Sequence, residues 1–513
     1  MHRPLAALLA GLFAAVVPAA AAPADELPRS APEAQGIASS DLTALVDALD
    51  AHGDAASADG LHSVMVVRHG HVVAEGWWAP YTAAHRHQLY SLSKSFTAAA
   101  VGIAAAEGKL SADDPVLCFF PGEAPADPPA NLRAMRVTDL LRMATGQQTE
   151  PPRAAGASWV KQFLAHPVPF KPGTHFLYNT SATYMQSAVV QKATGTRIVD
   201  YLGPRLFLPL AIDGATWEES PEGISTGGYG LSIRTGDIAS FGQLLLQRGR
   251  WRGRQLVPEA WVDAATSRQV ANGSNPESDW DQGYGYQFWR CRHDAYRGDG
   301  AFGQFCVVLP QEDAVVAITA GTRDMQGILT ILWKTLLPAL RAAPLAPDDA
   351  AHSRLRERLA ALAVPRPTAG ALPAALAGAT FRFPENAAGI ERLRLEPARG
   401  SGAGADAGTG QGEGAAAAHL VLVARGREQR IPLGADRYLA APVAWGERPP
   451  APAAAAIGMV GEECVVRICF VETPFVTTLR LRPEGDGVKV SGGTNVGFGQ
   501  TKLPDLVGTP AVD

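Results

Sequence analysis

Tyr90-Ser91-Leu92-Ser93-Lys94-Ser95-Phe96-Thr97 runs directly into Ala98-Ala99-Ala100-Val101-Gly102-Ile103-Ala104-Ala105-Ala106. The apolar, alanine-rich part predicts a helix that stops at Gly108. Ser91 stands at its start and Lys94 three residues on, so both side chains lie on one helix face. The first turn of a helix also offers unpaired backbone N–H groups and the positive end of the dipole. A neutral lysine there accepts the proton of the serine, and the N–H groups receive the charge that develops on an attacked carbonyl. The plainer alternative is a helix N-cap with an incidental lysine. A second copy of the spacing, Ser158-Trp159-Val160-Lys161, is an internal control: it follows a Pro/Gly/Ala loop and opens no long apolar helix. So short a pattern arises by chance, and its weight comes from the rest of the chain.

The 513 residues suffice for two or more domains. A formal net charge of -5 favours neither nucleic acid nor an anionic membrane surface as a partner. The cysteines (Cys118, Cys291, Cys306, Cys464 and Cys469) form no Cys-x-x-Cys pair and no zinc-spaced cluster with histidine. Their odd number argues against a disulfide framework, although Cys291 and Cys306 flank a predicted hairpin and could pair in an oxidising compartment. At the N-terminus, the basic Met1-His2-Arg3, the apolar run Leu5 to Val17 and the small residues up to Ala24 predict a cleavable signal peptide over residues 1–22. The run is short for a membrane anchor, and no later stretch is long and apolar enough to span a bilayer. The expected location is therefore secreted or periplasmic.

Along the chain, a helix is expected from Ser39. Two strands follow, Ser63 to Arg68 and His71 to Trp77, joined by a His69-Gly70 turn. His69-x-His71 could hold a metal, but no third ligand is in view and a hairpin tip is the preferred reading. Val137 to Met143 predicts a short helix, and Gln147 to Pro172 reads as loop-rich. Helices are expected over about Ser181 to Ala193, Thr235 to Arg248 and Gly327 to Leu340. Gly285 to Trp289, Phe302 to Leu309 and Ala314 to Thr319 read as strands. Strands at both ends of residues 35–340 suggest an antiparallel sheet built from the two ends, with helices inserted between. Residues 341–375 read as a linker. Residues 376–513 carry recurring strand-like runs without helical periodicity, an all-β domain interrupted by a Gly/Ala tract at 400–418 expected to be a disordered loop.

A serine and a lysine need a further group to move protons, and Tyr178, at the tip of the Pro172-Gly173 turn beside a helix start, is the candidate. Gly298-Asp299-Gly300-Ala301-Phe302-Gly303-Gln304 fits the dinucleotide pattern G-x-G-x-x-G, but that fingerprint requires a helix after it. Here Phe305 to Leu309 follow, so a strand is read and the nucleotide reading is rejected. A glycine-rich strand start lets an extended substrate lie against the backbone.

Together these stretches resemble the class C β-lactamase-related serine hydrolases, a group that also holds DD-peptidases, esterases and the 6-aminohexanoate-dimer hydrolases. The resemblance covers roughly residues 35–340. It rests on Ser91 to Thr97, Asp113-Asp114-Pro115-Val116, Val137 to Gly146, Pro172 to Tyr178, and Gly228 to Leu231 with Asp237 to Gly242. It implies an α/β (α+β) architecture, the β-lactamase/DD-peptidase fold: an antiparallel sheet flanked by helices, with a helical subdomain. It also implies Ser91 as nucleophile, Lys94 as its proton acceptor and Tyr178 as proton relay. Backbone N–H groups of Ser91 and Ala301 would form the oxyanion hole, and Asn179, Thr180, Gly300, Gly303 and Gln304 would bind substrate. Neither metal nor cofactor is required. Two departures bear on the substrate. The usual Tyr-x-Asn is Tyr178-Asn179-Thr180, with the amide one place early. The usual Lys/His-x-Gly is Gly298-Asp299-Gly300, with no base to bind the carboxylate of a penicillin or a D-Ala terminus. Gly283 to Trp289 and Gly300 to Gln304 look most like the 6-aminohexanoate-dimer-hydrolase branch. The expected activity is hydrolysis of a small ester or linear amide through an acyl-enzyme. A β-lactamase or DD-peptidase acting on cell-wall peptide, and a non-catalytic wall-binding or sensor protein, stay open.

Overall fold

The structure is a computed structural model that describes residues 26–398 and 416–511. The expected signal peptide and nearly all of the 400–418 tract lie outside the described residues. Helix α1 (Ser39–Asp50) precedes strands β1 (Gly60–Arg68) and β2 (His71–Trp77). Helices α2 (Ser93–Ala106), α3 (Thr180–Thr194) and α4 (Thr235–Leu246) follow. Four strands then close the sheet: β3 (Trp289–Arg290), β4 (Tyr296–Gly300), β5 (Gln304–Leu309) and β6 (Ala314–Gly321). Helix α5 (Met325–Ile331) returns to the sheet, and α6 (Asp349–Ala360) packs beyond it.

The strand order is β2-β1-β6-β5-β4-β3, so the centre of the sheet pairs strands from the two ends of the segment. Val64 faces Ile318 and Val66 faces Val316 in an antiparallel register. The residues of β1, β5 and β6 are buried almost throughout, as expected of strands covered on both faces. Met65, Val67, Cys306 and Val315 look toward a core shared with α2, α3 and α4. Val64, Val66, Val307 and Ile318 look toward one shared with α1 and α5. The alanines of α2 permit close packing from every side. At Gly102 even a methyl group would sit 2.4 Å from the ring of Trp261.

Several local expectations are corrected. Gly285 to Trp289 is not a strand: Gln287 takes a left-handed φ of 67°, and pairing begins only at Trp289. Its buried side-chain amide donates to Leu141 O at 2.7 Å and accepts from Thr183 Oγ1 at 2.7 Å. The loop-rich stretch before Pro172 contains a helix, Trp159–Ala165. There Ser158 is the N-cap, accepting from the backbone of Lys161 at 3.2 Å, so the control copy of Ser-x-x-Lys is a cap. Cys291 and Cys306 are both free thiols. Cys291 Sγ receives Arg297 Nη1 at 3.0 Å, while Cys306 sits in β5 against the Ile238 carbonyl. His69 and His71 occupy the β1–β2 turn, where His71 Nδ1 lies 2.9 Å from the His69 carbonyl. The stretch read as a linker is docked: Leu355 of α6 is buried, Arg358 pairs with Asp47 of α1 at 2.7 Å, and Val364 N donates to Ala79 O at 2.8 Å.

Beyond it, ten strands between Thr380 and Pro510 form one antiparallel sheet. Its edge strands, Arg427–Leu433 and Leu439–Val443, curl towards each other. The Gln429 amide links them as a strand would, donating to Ala444 O at 2.9 Å and accepting from Ala444 N at 3.0 Å. The all-β unit sits on the end of the first sheet. Asn495 Nδ2 donates to Gly321 O at 2.9 Å, Arg467 Nη2 to the Ala55 and Ala56 carbonyls at 3.1 Å, and Gln88 N to Glu472 O at 2.9 Å. No helix among the described residues is long and apolar enough to cross a membrane.

Candidate active site

Ser91 lies in a single 3-10 turn, Tyr90–Leu92, placed directly ahead of α2. The turn is held from both sides: Leu89 N donates to Leu231 O at 2.8 Å, and Ser93 Oγ accepts from Leu231 N at 3.1 Å. Tyr90 adopts φ 49°, a left-handed conformation that costs a bulky residue about a kcal/mol and is kept only where surroundings enforce it. Ser91 is thereby presented at the floor of a cleft of about 1170 Å³.

Lys94 is buried, and its ammonium donates to Ser91 Oγ at 3.1 Å, Gly228 O at 2.7 Å and Thr180 Oγ1 at 3.3 Å. Burial lowers its pKa to about 7; Arg153 acts in the same sense, while Glu150 and Asp299 oppose it. Near neutral pH a large share of the lysine is therefore an amine with a free lone pair. Gly228 supplies a partner that sequence reasoning missed. The signal was the Gly227-Gly228 pair: a Cβ on Gly228 would lie 2.5 Å from Thr180 Cγ2, so only glycine brings this carbonyl to Lys94.

Tyr178 reaches the same point from the turn before α3. Leu177 N donates to Met143 O at 2.9 Å and fixes the approach. The Lys94 Nζ lies 4.9 Å from the centre of the Tyr178 ring, which also stacks on Trp289 at 5.3 Å and meets Tyr284 edge-on at 6.2 Å. Burial raises the phenol pKa, the Asp299 charge adds to that, and hydrogen bonding to Ser91 offsets part of it. The phenol thus keeps its proton at neutral pH and is a donor. The phenol, far along the chain from the alcohol and the amine, meets them at one place.

The strand end β4 lies against the serine turn because of its glycines. A Cβ on Gly298 would be 2.5 Å from both Leu92 Cδ1 and Ser95 Oγ, and one on Gly300 would be 1.9 Å from Leu89 O. Ala301, next along, lines the cleft with Ser91. Phe302 has φ 69°, so the two cleft-lining backbone positions Ser91 and Ala301 are each flanked by an aromatic residue in left-handed conformation.

Four residues expected to bind substrate serve the scaffold instead. Asn179 is fully buried and caps α3, accepting from Ala182 N at 3.0 Å and donating to Gln147 Oε1 at 2.8 Å. Gly300 permits the close approach just described. Gly303 turns the chain at φ 96° beneath Ala320. Gln304, also fully buried, donates to Ala301 O at 3.1 Å and to Ala320 O at 2.8 Å, bracing the position it was expected to share. Thr180 does line the cleft. So does Asp299, which no reading of the sequence singled out. Its carboxylate pairs at 2.8 Å with Arg297, a fully buried guanidinium stacked 3.8 Å from Trp280. Where a cation would greet a penicillin carboxylate, the cleft presents an anion.

Residues 42–327, more than half of the chain, match the Beta-lactamase family. The chain belongs to that family. It is a serine hydrolase with the β-lactamase/penicillin-binding-protein fold and an additional all-β, nearly closed C-terminal domain. Among its relatives is the 6-aminohexanoate-dimer hydrolase of Paenarthrobacter ureafaciens, 27% identical over 278 residues that cover 49% of this chain and 70% of that protein. Solved structures similar to it include a penicillin-binding-protein homologue from Caulobacter crescentus, at 18% identity and TM-score 0.47, covering 58% of this chain and 97% of that one. Another is EstCE1, a hydrolase with promiscuous acyltransferase activity, at 15% identity and TM-score 0.49, covering 57% and 98%.

Proposed function

We propose that this hydrolase cleaves a linear ester or amide through an acyl-enzyme on Ser91. The observation that carries the reading is the buried Lys94 amine, 3.1 Å from Ser91 Oγ and with its pKa lowered to about 7. As Ser91 Oγ bonds to the carbonyl carbon, its proton passes to Lys94 Nζ. The oxygen becomes an oxyanion facing the N–H groups of Ser91 and Ala301. The proton returns by way of the Tyr178 hydroxyl to the leaving oxygen or nitrogen, and that bond breaks. Water then attacks the ester, gives its proton to the same base, and Ser91 leaves with a proton restored. Thr180 and Gly228 hold the lysine through both halves. The anion at Asp299 supports a substrate without a carboxylate at that point, and so a linear amide or ester over a β-lactam or a D-Ala terminus. The likeness to a 6-aminohexanoate-dimer hydrolase points the same way. The basic, apolar and small-residue order of residues 1–24 supports export to a periplasm or the medium.

A fluorophosphonate probe tests the nucleophile. Wild type and Ser158→Ala are expected to label and Ser91→Ala is not. Label persisting on Ser91→Ala would place the nucleophile elsewhere. A p-nitrophenyl ester, a 6-aminohexanoate dimer and nitrocefin assayed side by side test the substrate class, and nitrocefin turned over best would refute the reading of Asp299.

A further inference from the structure

The cleft has a second wall, and it comes from the C-terminal domain: Trp445, Arg448, Phe470, Phe475 and Phe498 line it together with Ser91. This wall is joined to the catalytic turn by aromatic contacts. Phe302 lies 4.9 Å from Phe498 and 6.2 Å from Phe475, and Tyr90 lies 5.5 Å from Phe302 and 5.6 Å from Phe498. Phe498 is 78% exposed, so much of its ring is open to a ligand in the cleft.

The charged side chains of the cleft are Arg153, Glu218, Asp299, Glu447 and Arg448. Arg153 is paired with Glu150 and Asp299 with Arg297. Glu447 pairs with Arg425 at 3.5 Å, and Glu218 accepts from Gln88 at 2.5 Å. Arg448 alone has no carboxylate partner among the described residues. Its guanidinium lies 4.4 Å from the centre of the Phe475 ring, and its charge is felt at the Tyr90 phenol. A guanidinium over an aromatic ring uses none of its N–H groups in a hydrogen bond there, and their planar fork suits a carboxylate.

Resting on the reading of Ser91 as nucleophile, we propose that the C-terminal domain is half of the substrate site: its aromatic wall takes an apolar chain, and Arg448 takes a carboxylate at the end of that chain. The substrate class is then a linear ester or amide with an ω-carboxylate. The sequence places no cation at Gly298, and the fold brings one to the cleft from a residue about 150 positions later. Arg448 at the wall would orient such a molecule by drawing its charged end away from the scissile bond.

The experiment uses the full chain and matched pairs of substrates. p-Nitrophenyl hexanoate against its ω-carboxylate counterpart puts the charge on the acyl side. Hexyl butanoate against its ω-carboxylate counterpart puts it on the leaving group. In one pair at least, the charged member is expected to lead by about tenfold in kcat/KM, mainly through KM, and the lead should shrink as salt is added. In Arg448→Gln, with an unchanged circular dichroism spectrum, that ratio should fall to near one. Turnover without a charge preference, or a preference that survives Arg448→Gln, overturns this proposal and leaves the Ser91 reading standing. No turnover of any of the esters, with no fluorophosphonate label, overturns both.

Discussion

Three acceptors converge on the Lys94 nitrogen, yet none of them is a carboxylate in contact with it. Desolvation therefore wins, and the pKa falls from 10.5 to about 7. If the amine is the base, kcat/KM rises with pH as the ammonium loses its proton, tenfold per unit below about 7, and levels above it. Glu150 holds that pKa up, so Glu150→Gln should move the midpoint down in pH, by some tenths of a unit or more. The same change frees Arg153 from its partner, which pushes in the same direction. A pH–rate series on wild type and Glu150→Gln measures this. A midpoint that stays put would mean that another group titrates. The stability consequence has a definite sign too. Lys94 has a folded pKa below its unfolded value, so the unfolded chain binds more protons between about pH 7 and 10.5, and this residue's contribution to stability rises with pH across that window. Much of this was legible from the sequence, because Ser-x-x-Lys ahead of a long apolar helix puts both side chains on one face, while the same spacing at Ser158 gives only a cap. The directions of Asn179 and Gln304 were not. Each lies where the chain enters an element and, besides a local bond, takes a distant partner that spacing does not announce, Gln147 for Asn179 and Ala320 for Gln304.

At the scale of elements, the site depends on how closely β4 approaches the turn before α2. Gly300 makes that approach possible, with the Leu89 carbonyl occupying the place of a side chain. Gly300→Ala must push strand and turn apart, and a displacement of about an ångström at a catalytic group costs on the order of 10²-fold in rate. The expected result is a kcat lowered by roughly that factor, with overpacking costing about 1–3 kcal/mol of stability. Steady-state kinetics with a urea melt check both. An Ala variant with wild-type kcat would show that the Ala301 N–H does not matter to the oxyanion. Four strands of the first sheet could be read in advance because β-branched residues crowd them, as in Val64, Val66, Val67, Val307, Val308, Val315 and Val316, whereas Trp289–Arg290 and the glycine-containing Tyr296–Gly300 could not. The second sheet was read only in part. Ala451–Val460 is a ten-residue strand, half of it alanine, and Arg427–Leu433 is mostly polar. Neither has the pattern or propensity of a strand; pairing makes them so, on both sides for Ala451–Val460 and with Ala418–Ala424 for the edge strand Arg427–Leu433.

For the whole molecule, the question is whether two sheets make two folding units or one. The second core includes Ala454, Cys469, Val471 and Val476 of the all-β domain together with Leu61, Val64 and Leu329 of the hydrolase, so apolar surface is shared across the boundary. Two polar residues seal it. Arg467, 3% exposed and without a carboxylate partner among the described residues, spends its guanidinium on the carbonyls of Ala55, Ala56 and Pro365. Asn495, 8% exposed, donates to Gly321 O and Pro474 O and accepts from Val476 N at 2.8 Å. Buried polar groups satisfied across a boundary are lost together when either side opens, so heating should give one cooperative transition by calorimetry. Asn495→Ala leaves the Gly321 and Pro474 carbonyls and the Val476 N–H without that partner, at about 1–3 kcal/mol for each group left unpaired. That is enough to uncouple halves whose shared stability is itself on the order of ten kcal/mol. In this variant the single transition should fall in temperature and broaden or split, and the C-terminal wall of the cleft should loosen at lower temperature than the serine turn. Two resolved transitions already present in the wild type would mean that the boundary carries little coupling, and that the cleft's second wall moves independently of the first.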